Sequence, residues 1–114
     1  TLRDPLIAMM KDPQLRVYRY WDETPQPLAA DNPDLPVIVY ALPGRIARAV
    51  LCSYADVDVT ARIRIDPAAL GFTGPYTVAD YETGTPFAVE NHTLTVPVKK
   101  HQVIGFAVRP GGGT

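Results

Sequence analysis

The adjacent acids Asp22 and Glu23, which follow Trp21, form the cluster in this sequence that most resembles catalytic machinery. Glycoside hydrolysis needs two carboxyl groups that flank the scissile bond. Successive residues of an extended chain point in opposite directions, so Asp22 and Glu23 would not face one substrate. They also open a proline-rich stretch in which acidic side chains are solvated. We therefore predict no catalytic residue in this chain.

The remaining acids and the histidines offer candidate metal ligands. Asp56, Asp58 and Asp66 carry the oxygens that calcium prefers, but no Asp/Asn/Gly-rich loop of the EF-hand type accompanies them. His92 and His101 are the only histidines, and neither has a cysteine or a second histidine at zinc-ligand spacing. No metal and no cofactor is expected.

Aromatic residues with polar tips are the remaining candidates for a binding site. Such rings stack on sugars in carbohydrate-binding modules, and they also fill cores while their polar atoms form hydrogen bonds at the rim. Both interpretations stay open for four residues near the start of the chain, namely Tyr18, Tyr20, Trp21 and Tyr40.

The bulk composition limits the class of protein. The chain has 114 residues, a formal net charge of −1, a single cysteine and 12 prolines. This length suits one domain with one core, and the charge gives no reason to expect a nucleic-acid partner. No apolar run approaches the roughly 20 residues that span a bilayer, so no membrane partner is expected. The start at Thr1 suggests a piece of a longer protein.

The run Asp56–Asp66 is the clearest structural signal. Its odd-numbered residues from 57 to 65 are apolar, whereas Thr60, Arg62 and Arg64 on the other parity are polar. Because side chains alternate across a strand, this pattern predicts a strand with one buried and one wet face in an antiparallel sheet. With the strand before it, this run is expected to form the central hairpin of the fold.

The rest of the chain reads as short strands between turns. The pattern predicts an all-β antiparallel β-sandwich of about seven or eight short strands, preceded by a short helix over 2–11. Residues 22–36 are expected to form a proline-rich loop, and Asp66–Gly71 a single helical turn. The other expected strands are Leu15–Trp21, Val37–Leu42, Ile46–Tyr54, Pro75–Tyr81, Phe87–Glu90, Thr93–Val98 and Val103–Val108.

We divide the chain into residues 1–36, which hold the helix, a strand and the loop, and residues 37–114, which hold the sandwich and a Gly-rich tail. The first part is expected to lead in from a missing upstream domain. The order "VIVYALPGRIARAVLCSYADVDVTARIRIDPAALGF" followed by "VADYETGTPFAVENHTLTVPVKKHQVIGFAV" resembles a known layout. It is similar to the C-terminal β-sandwich domain that follows the barrel in many bacterial glycoside hydrolases and related uncharacterised proteins.

That resemblance implies a non-catalytic accessory domain that packs on, and stabilises, a catalytic barrel in the same polypeptide. It also implies glycan as a second partner and a secreted or periplasmic location. The catalytic acids of such enzymes lie in the barrel, so none is expected in this chain. Two alternatives remain: a carbohydrate-binding module that uses the four aromatic residues, and a free-standing small enzyme that uses Asp22 or Glu23.

Overall fold

The computed structural model of the chain describes residues 11–19 and 26–111. These residues form ten β-strands and no helix, which confirms the all-β prediction but exceeds the seven or eight strands expected. The helix predicted over 2–11 lies almost wholly outside the described residues, and Lys11 lies in a turn. The strands are β1 Arg16–Tyr18, β2 Leu28–Ala30, β3 Val37–Leu42, β4 Ile46–Cys52, β5 Val59–Ile65, β6 Tyr76–Asp80, β7 Pro86–Phe87, β8 Val89–Glu90, β9 Thr93–Val98 and β10 Val103–Pro110.

The strands form two antiparallel sheets, as expected for a β-sandwich. The larger sheet has six strands in the order β1-β3-β4-β10-β6-β7, and the smaller has four in the order β2-β5-β9-β8. Strands β1 and β2, from the part of the chain before residue 37, pair with β3 and β5. The first 36 residues therefore contribute a strand to each sheet.

The core lies between the two sheets and is built by alternation along their strands. Phe106 of β10 is fully buried and makes an edge-to-face contact with Phe87 of β7, with 5.5 Å between the ring centroids. Leu28 and Ile63 are fully buried on the smaller sheet. Burying large aliphatic and aromatic side chains in this way supplies most of the favourable free energy of folding.

Strand β5 confirms the alternation predicted for the run Asp56–Asp66. Ala61, Ile63 and Ile65 are buried, and the polar residues between them are exposed. Val57 was wrongly placed on the buried face: it precedes the strand and is 64% exposed. The predicted central hairpin is also wrong, because β4 and β5 lie in different sheets. The chain crosses between the sheets at residues 53–58.

The stretch 22–36 is not a continuous loop, because β2 lies within it. Leu28 is fully buried and faces Ile65 across the pair, while Ala30 faces Ile63. Strand β2 has only three residues, and prolines, which cannot donate to a ladder, lie close to it. The sequence pattern therefore does not reveal this strand, which is stabilised by its pairing with β5.

The predicted strand Phe87–Glu90 is two strands that belong to different sheets. Strand β7 pairs with β6 in the larger sheet, and β8 pairs with β9 in the smaller one. Ala88 lies between them, at the crossing. Strand β8 reaches only Leu94 and Thr93, so Pro97 lies where β9 has no second neighbour. Proline has no backbone N–H to donate to a ladder, so it is tolerated at this unpaired side of β9.

The segment 66–71 forms a hydrogen-bonded turn capped by Asp66, where a single helical turn was predicted; the cap is present, but the segment is a turn rather than a helix. The Asp66 carboxylate accepts a hydrogen bond from the Ala69 N–H at 3.4 Å, and the Leu70 N–H donates to the Pro67 carbonyl at 3.1 Å. This turn packs on the β3–β4 turn through backbone: the Gly44 N–H donates to the Leu70 carbonyl at 2.9 Å.

Candidate interaction surface

The outer face of the six-stranded sheet is largely apolar, and we call it the apolar face. Residues that pair directly across an antiparallel ladder share one face of the sheet. Ile38, Val50 and Gly105 therefore form one row across β3, β4 and β10. Among the described residues, those that the strand pairing places on this face are Val17, Ile38, Tyr40, Leu42, Ile46, Arg48, Val50, Cys52, Thr77, Ala79, Pro86, Val103, Gly105, Ala107 and Arg109.

The outer face of the four-stranded sheet has the opposite character, and we call it the polar face. Its central rows pair Thr60 with Pro97, Arg62 with Thr95 and Arg64 with Thr93. An antiparallel sheet that covers a core on one side usually shows polar residues on the other. The polar face follows that rule, and the apolar face departs from it.

At the centre of the apolar face a cation lies over an aromatic ring. Arg48 pairs with Ala107, and its guanidinium carbon lies 5.2 Å from the centroid of the Tyr81 ring. Ala107 is only 6% exposed, and Gly105, also on β10, is buried. Small residues on the middle strand leave room for larger side chains above them. A cation over a ring contributes roughly 0.5–1 kcal/mol at an accessible position.

The margins of the apolar face are accessible. Val17 on the edge strand β1 is 41% exposed, and Val103 at the start of β10 is 52% exposed. Cys52, which pairs with Val103, is a half-buried free thiol. Exposed aliphatic side chains on a largely apolar sheet face are typical of a surface that another molecule covers.

The aromatic residues proposed for sugar stacking are only partly described. Tyr18 and Tyr40 lie on the neighbouring strands β1 and β3, but they face opposite sides of the sheet. Tyr18 pairs with the fully buried Val39 and packs against the core, whereas Tyr40 pairs with Val17 on the apolar face. Tyr20 and Trp21 lie outside the described residues. Tyr18 and Tyr40 therefore do not form one platform.

The candidate acids do not gather into a site in the described part of the chain. Asp22 and Glu23 lie outside it. The Asp58 carboxylate accepts a hydrogen bond from the Lys100 backbone N–H at 3.0 Å, and Oδ1 of Asp56 lies 3.6 Å from Nε2 of His101. Across residues 11–19 and 26–111, no group of three or more His, Cys, Asp or Glu side chains could hold a metal ion.

The sequence contained a signal for the apolar face that strand alternation alone did not reveal. Val37–Leu42 has apolar or aromatic residues at both parities, and so does much of β4. A strand with only one buried face usually alternates apolar and polar residues instead. Which parity faced the core became clear only from the pairing of β3 with β4 and of β4 with β10.

Comparison of the chain with protein-family models, with curated proteins and with solved structures finds no match. Among the described residues, no helix is long and apolar enough to cross a membrane.

Proposed function

We propose that this chain is a non-catalytic accessory domain whose apolar face packs against a catalytic domain of the same polypeptide. The observation that carries the proposal is the contrast between the two outer faces of the sandwich. Arg62 and Thr95 typify the polar face, and Ile38 and Val50 typify the apolar face. An apolar outer face gains free energy when it is covered, at about 25 cal/mol per Å² of apolar area removed from water.

The way the chain enters the fold supports a partner on that side. Strand β1, the first strand in sequence, lies at the edge of the six-stranded sheet, and Val17 within it belongs to the apolar face. A domain that precedes residue 11 in the same polypeptide would join the sandwich beside this sheet. Its covalent attachment gives it a high effective concentration at the apolar face.

The identity of the covering domain rests on the resemblance to the C-terminal sandwich domains of bacterial glycoside hydrolases. In such an arrangement the barrel carries the catalytic acids, and the sandwich covers apolar surface of the barrel. The function proposed for this chain is therefore to stabilise a carbohydrate-active enzyme through packing rather than to supply a catalytic group.

The test measures the melting temperature of the catalytic domain in the longer polypeptide, which contains this chain and the sequence encoded before Thr1. The unaltered polypeptide is compared with a variant of the apolar face. The double variant Val17→Lys/Val103→Lys places two charges on the apolar face at its most accessible aliphatic positions. We expect the catalytic domain of this variant to melt at a lower temperature than in the unaltered polypeptide, because the lysines must lose water when the interface closes.

The matched control is Thr60→Lys/Thr95→Lys, which adds the same charge at two exposed positions of the polar face. We expect it to leave the melting of the catalytic domain unchanged. The isolated chain with either pair should keep its circular dichroism spectrum, because all four positions are exposed. Equal melting of the two double variants would overturn the proposal, and so would an upstream sequence that encodes no second domain.

A further inference from the structure

One end of the sandwich carries a histidine in a backbone conformation that favours glycine. Asn91 and His92 connect β8 to β9 and have φ values of 51° and 59°. Two-residue hairpin turns with positive φ at both central positions strongly prefer Asn-Gly. A side chain in the left-handed region costs roughly 1–2 kcal/mol relative to glycine. A histidine at the second position therefore adds an imidazole at an energetic cost.

The imidazole of His92 is held in place by Tyr76 at the start of β6. The Tyr76 hydroxyl oxygen lies 2.7 Å from Nδ1 of His92, and the two rings stack with centroids 5.8 Å apart. Burial raises the pKa of the Tyr76 phenol above 10.0, which keeps its proton available. We assign the Nε2–H tautomer to His92, since the phenol then donates to Nδ1. Nε2 has no hydrogen-bond partner in the described part of the chain.

Two clefts adjoin this turn and share Asn91 and His92. One has a volume of about 520 Å³ and is also lined by Arg64, Asp66 and Pro67. The other has a volume of about 530 Å³ and extends along Pro75 and Tyr76. Each volume falls within the range of roughly 300–1,000 Å³ that is usual for small-molecule sites. The His92 carbonyl accepts a hydrogen bond from the Ile65 N–H at 2.8 Å, which holds the β8–β9 turn against the end of β5.

We propose that these two clefts form one binding site for a neutral saccharide, centred on His92. Arg64 supplies hydrogen-bond donors, Asp66 supplies acceptors, and Asn91 supplies both. These are the groups that bind the hydroxyls of a sugar. Their formal charges, one positive and one negative, cancel, so the site selects an uncharged polyol over an anion. The imidazole face and the proline rings provide the apolar surface on which the C–H side of a pyranose packs.

This site is independent of the apolar face. Arg64 belongs to the polar face of the smaller sheet, and Tyr76 lies on the core side of β6, where it pairs with Pro110. The position also differs from the aromatic residues predicted near the start of the chain. A sugar bound at this end of the sandwich would leave the apolar face free to contact another domain.

The experiment is a titration of the ¹⁵N-labelled chain with maltose, cellobiose and sodium glucuronate, followed by NMR. We expect at least one neutral disaccharide to cause saturable shifts in the amides of 64–66 and 91–93. His92→Gly removes the imidazole and gives the turn its preferred residue, so the hairpin persists. We expect this variant to bind about tenfold more weakly, since it loses a hydrogen bond and a stacking surface.

His101→Gly is the matched control, because His101 also has a positive φ, of 58°, and lies in an exposed turn that lines neither cleft. We expect this variant to bind the same disaccharide as tightly as the unaltered chain. Three results would overturn the proposal: no saturable shift with either disaccharide, binding of glucuronate alone, or equal weakening by the two glycine substitutions.

Discussion

Replacing Gly71 with alanine tests the contact between the β3–β4 turn and the turn at 66–71. Gly71 has a φ of 77°, and a Cβ atom built on it would lie 2.8 Å from the Gly44 nitrogen and 3.3 Å from the Pro43 carbonyl carbon. Both are backbone atoms, so no side chain can rotate away. The Gly44 N–H also donates to the Leu70 carbonyl, and the added methyl group would wedge these two segments apart.

The expected loss of stability has two parts. An alanine in the left-handed region costs about 1–2 kcal/mol relative to glycine. Displacing the Gly44 and Pro43 backbone to admit the Cβ costs about 1–3 kcal/mol more, the range for an extra carbon forced against packed atoms. We therefore expect Gly71→Ala to lower the free energy of unfolding by about 2–5 kcal/mol, a large part of the roughly 5–15 kcal/mol typical of a domain.

Gly84→Ala separates the two parts. Gly84 has nearly the same φ, 76°, but a Cβ built there would meet no atom within 4 Å. We expect this variant to lose only the conformational part, about 1–2 kcal/mol. The measurement is equilibrium unfolding in urea, with the free energy extrapolated to water for the unaltered chain and both variants. Equal losses in the two variants would refute the close packing of the two turns.

Two further predictions concern pH. Burial raises the pKa of Tyr76, so the stability that its neutral phenol contributes is complete below pH 10.0 and is lost as the pH rises through the folded-state value. The stability difference between the unaltered chain and Tyr76→Phe should therefore shrink in alkali, and a constant difference from pH 9 to 12 in urea titrations would contradict this. Two hydrogen bonds lower the pKa of Asp12 from 3.8. The larger effect comes from the Gln14 N–H and the next from the Arg45 guanidinium, and each donor lies 2.9 Å from a carboxylate oxygen. Asp12→Asn should be less stable than the unaltered chain at pH 7, and the difference should shrink as acid protonates Asp12 below its lowered folded-state pKa. A difference that stays constant as the pH falls from 7 to 2 would contradict the ion pair.

The elements that the sequence predicted correctly are those in which local pattern and tertiary environment agree. Val37–Leu42 and Thr93–Val98 have the bounds that were expected, because strong β-formers fill both segments and turn or charged residues flank them: Pro36 and Pro43-Gly44 for the first, Asn91-His92 and Lys99-Lys100 for the second. The capped turn beginning at Asp66 follows from its Asp-Pro start and its Gly stop. In these segments a single window of sequence contains the determining interactions.

The elements that the sequence did not predict depend on partners far away in the chain. Strand β2 has three residues and exists because β5 pairs with it from more than thirty positions away. The division of 86–90 between two sheets requires knowledge of where β6 and β9 lie. Likewise, the cleft beside His92 brings together residues from β5, β6 and the β8–β9 turn, which no local pattern associates.

If an upstream domain covers the apolar face, this face must lose accessibility in the longer polypeptide. With Cys52 replaced by serine, so that no native thiol faces position 103, Val103→Cys and Thr95→Cys place a thiol on the apolar face and the polar face, respectively, both at exposed positions. Maleimide labelling of each site, measured by peptide mass spectrometry, is compared between the isolated chain and the polypeptide that includes the upstream sequence. We expect labelling at position 103 to slow strongly in the longer polypeptide and labelling at position 95 to stay unchanged. Equal labelling of position 103 in the two contexts would contradict this expectation.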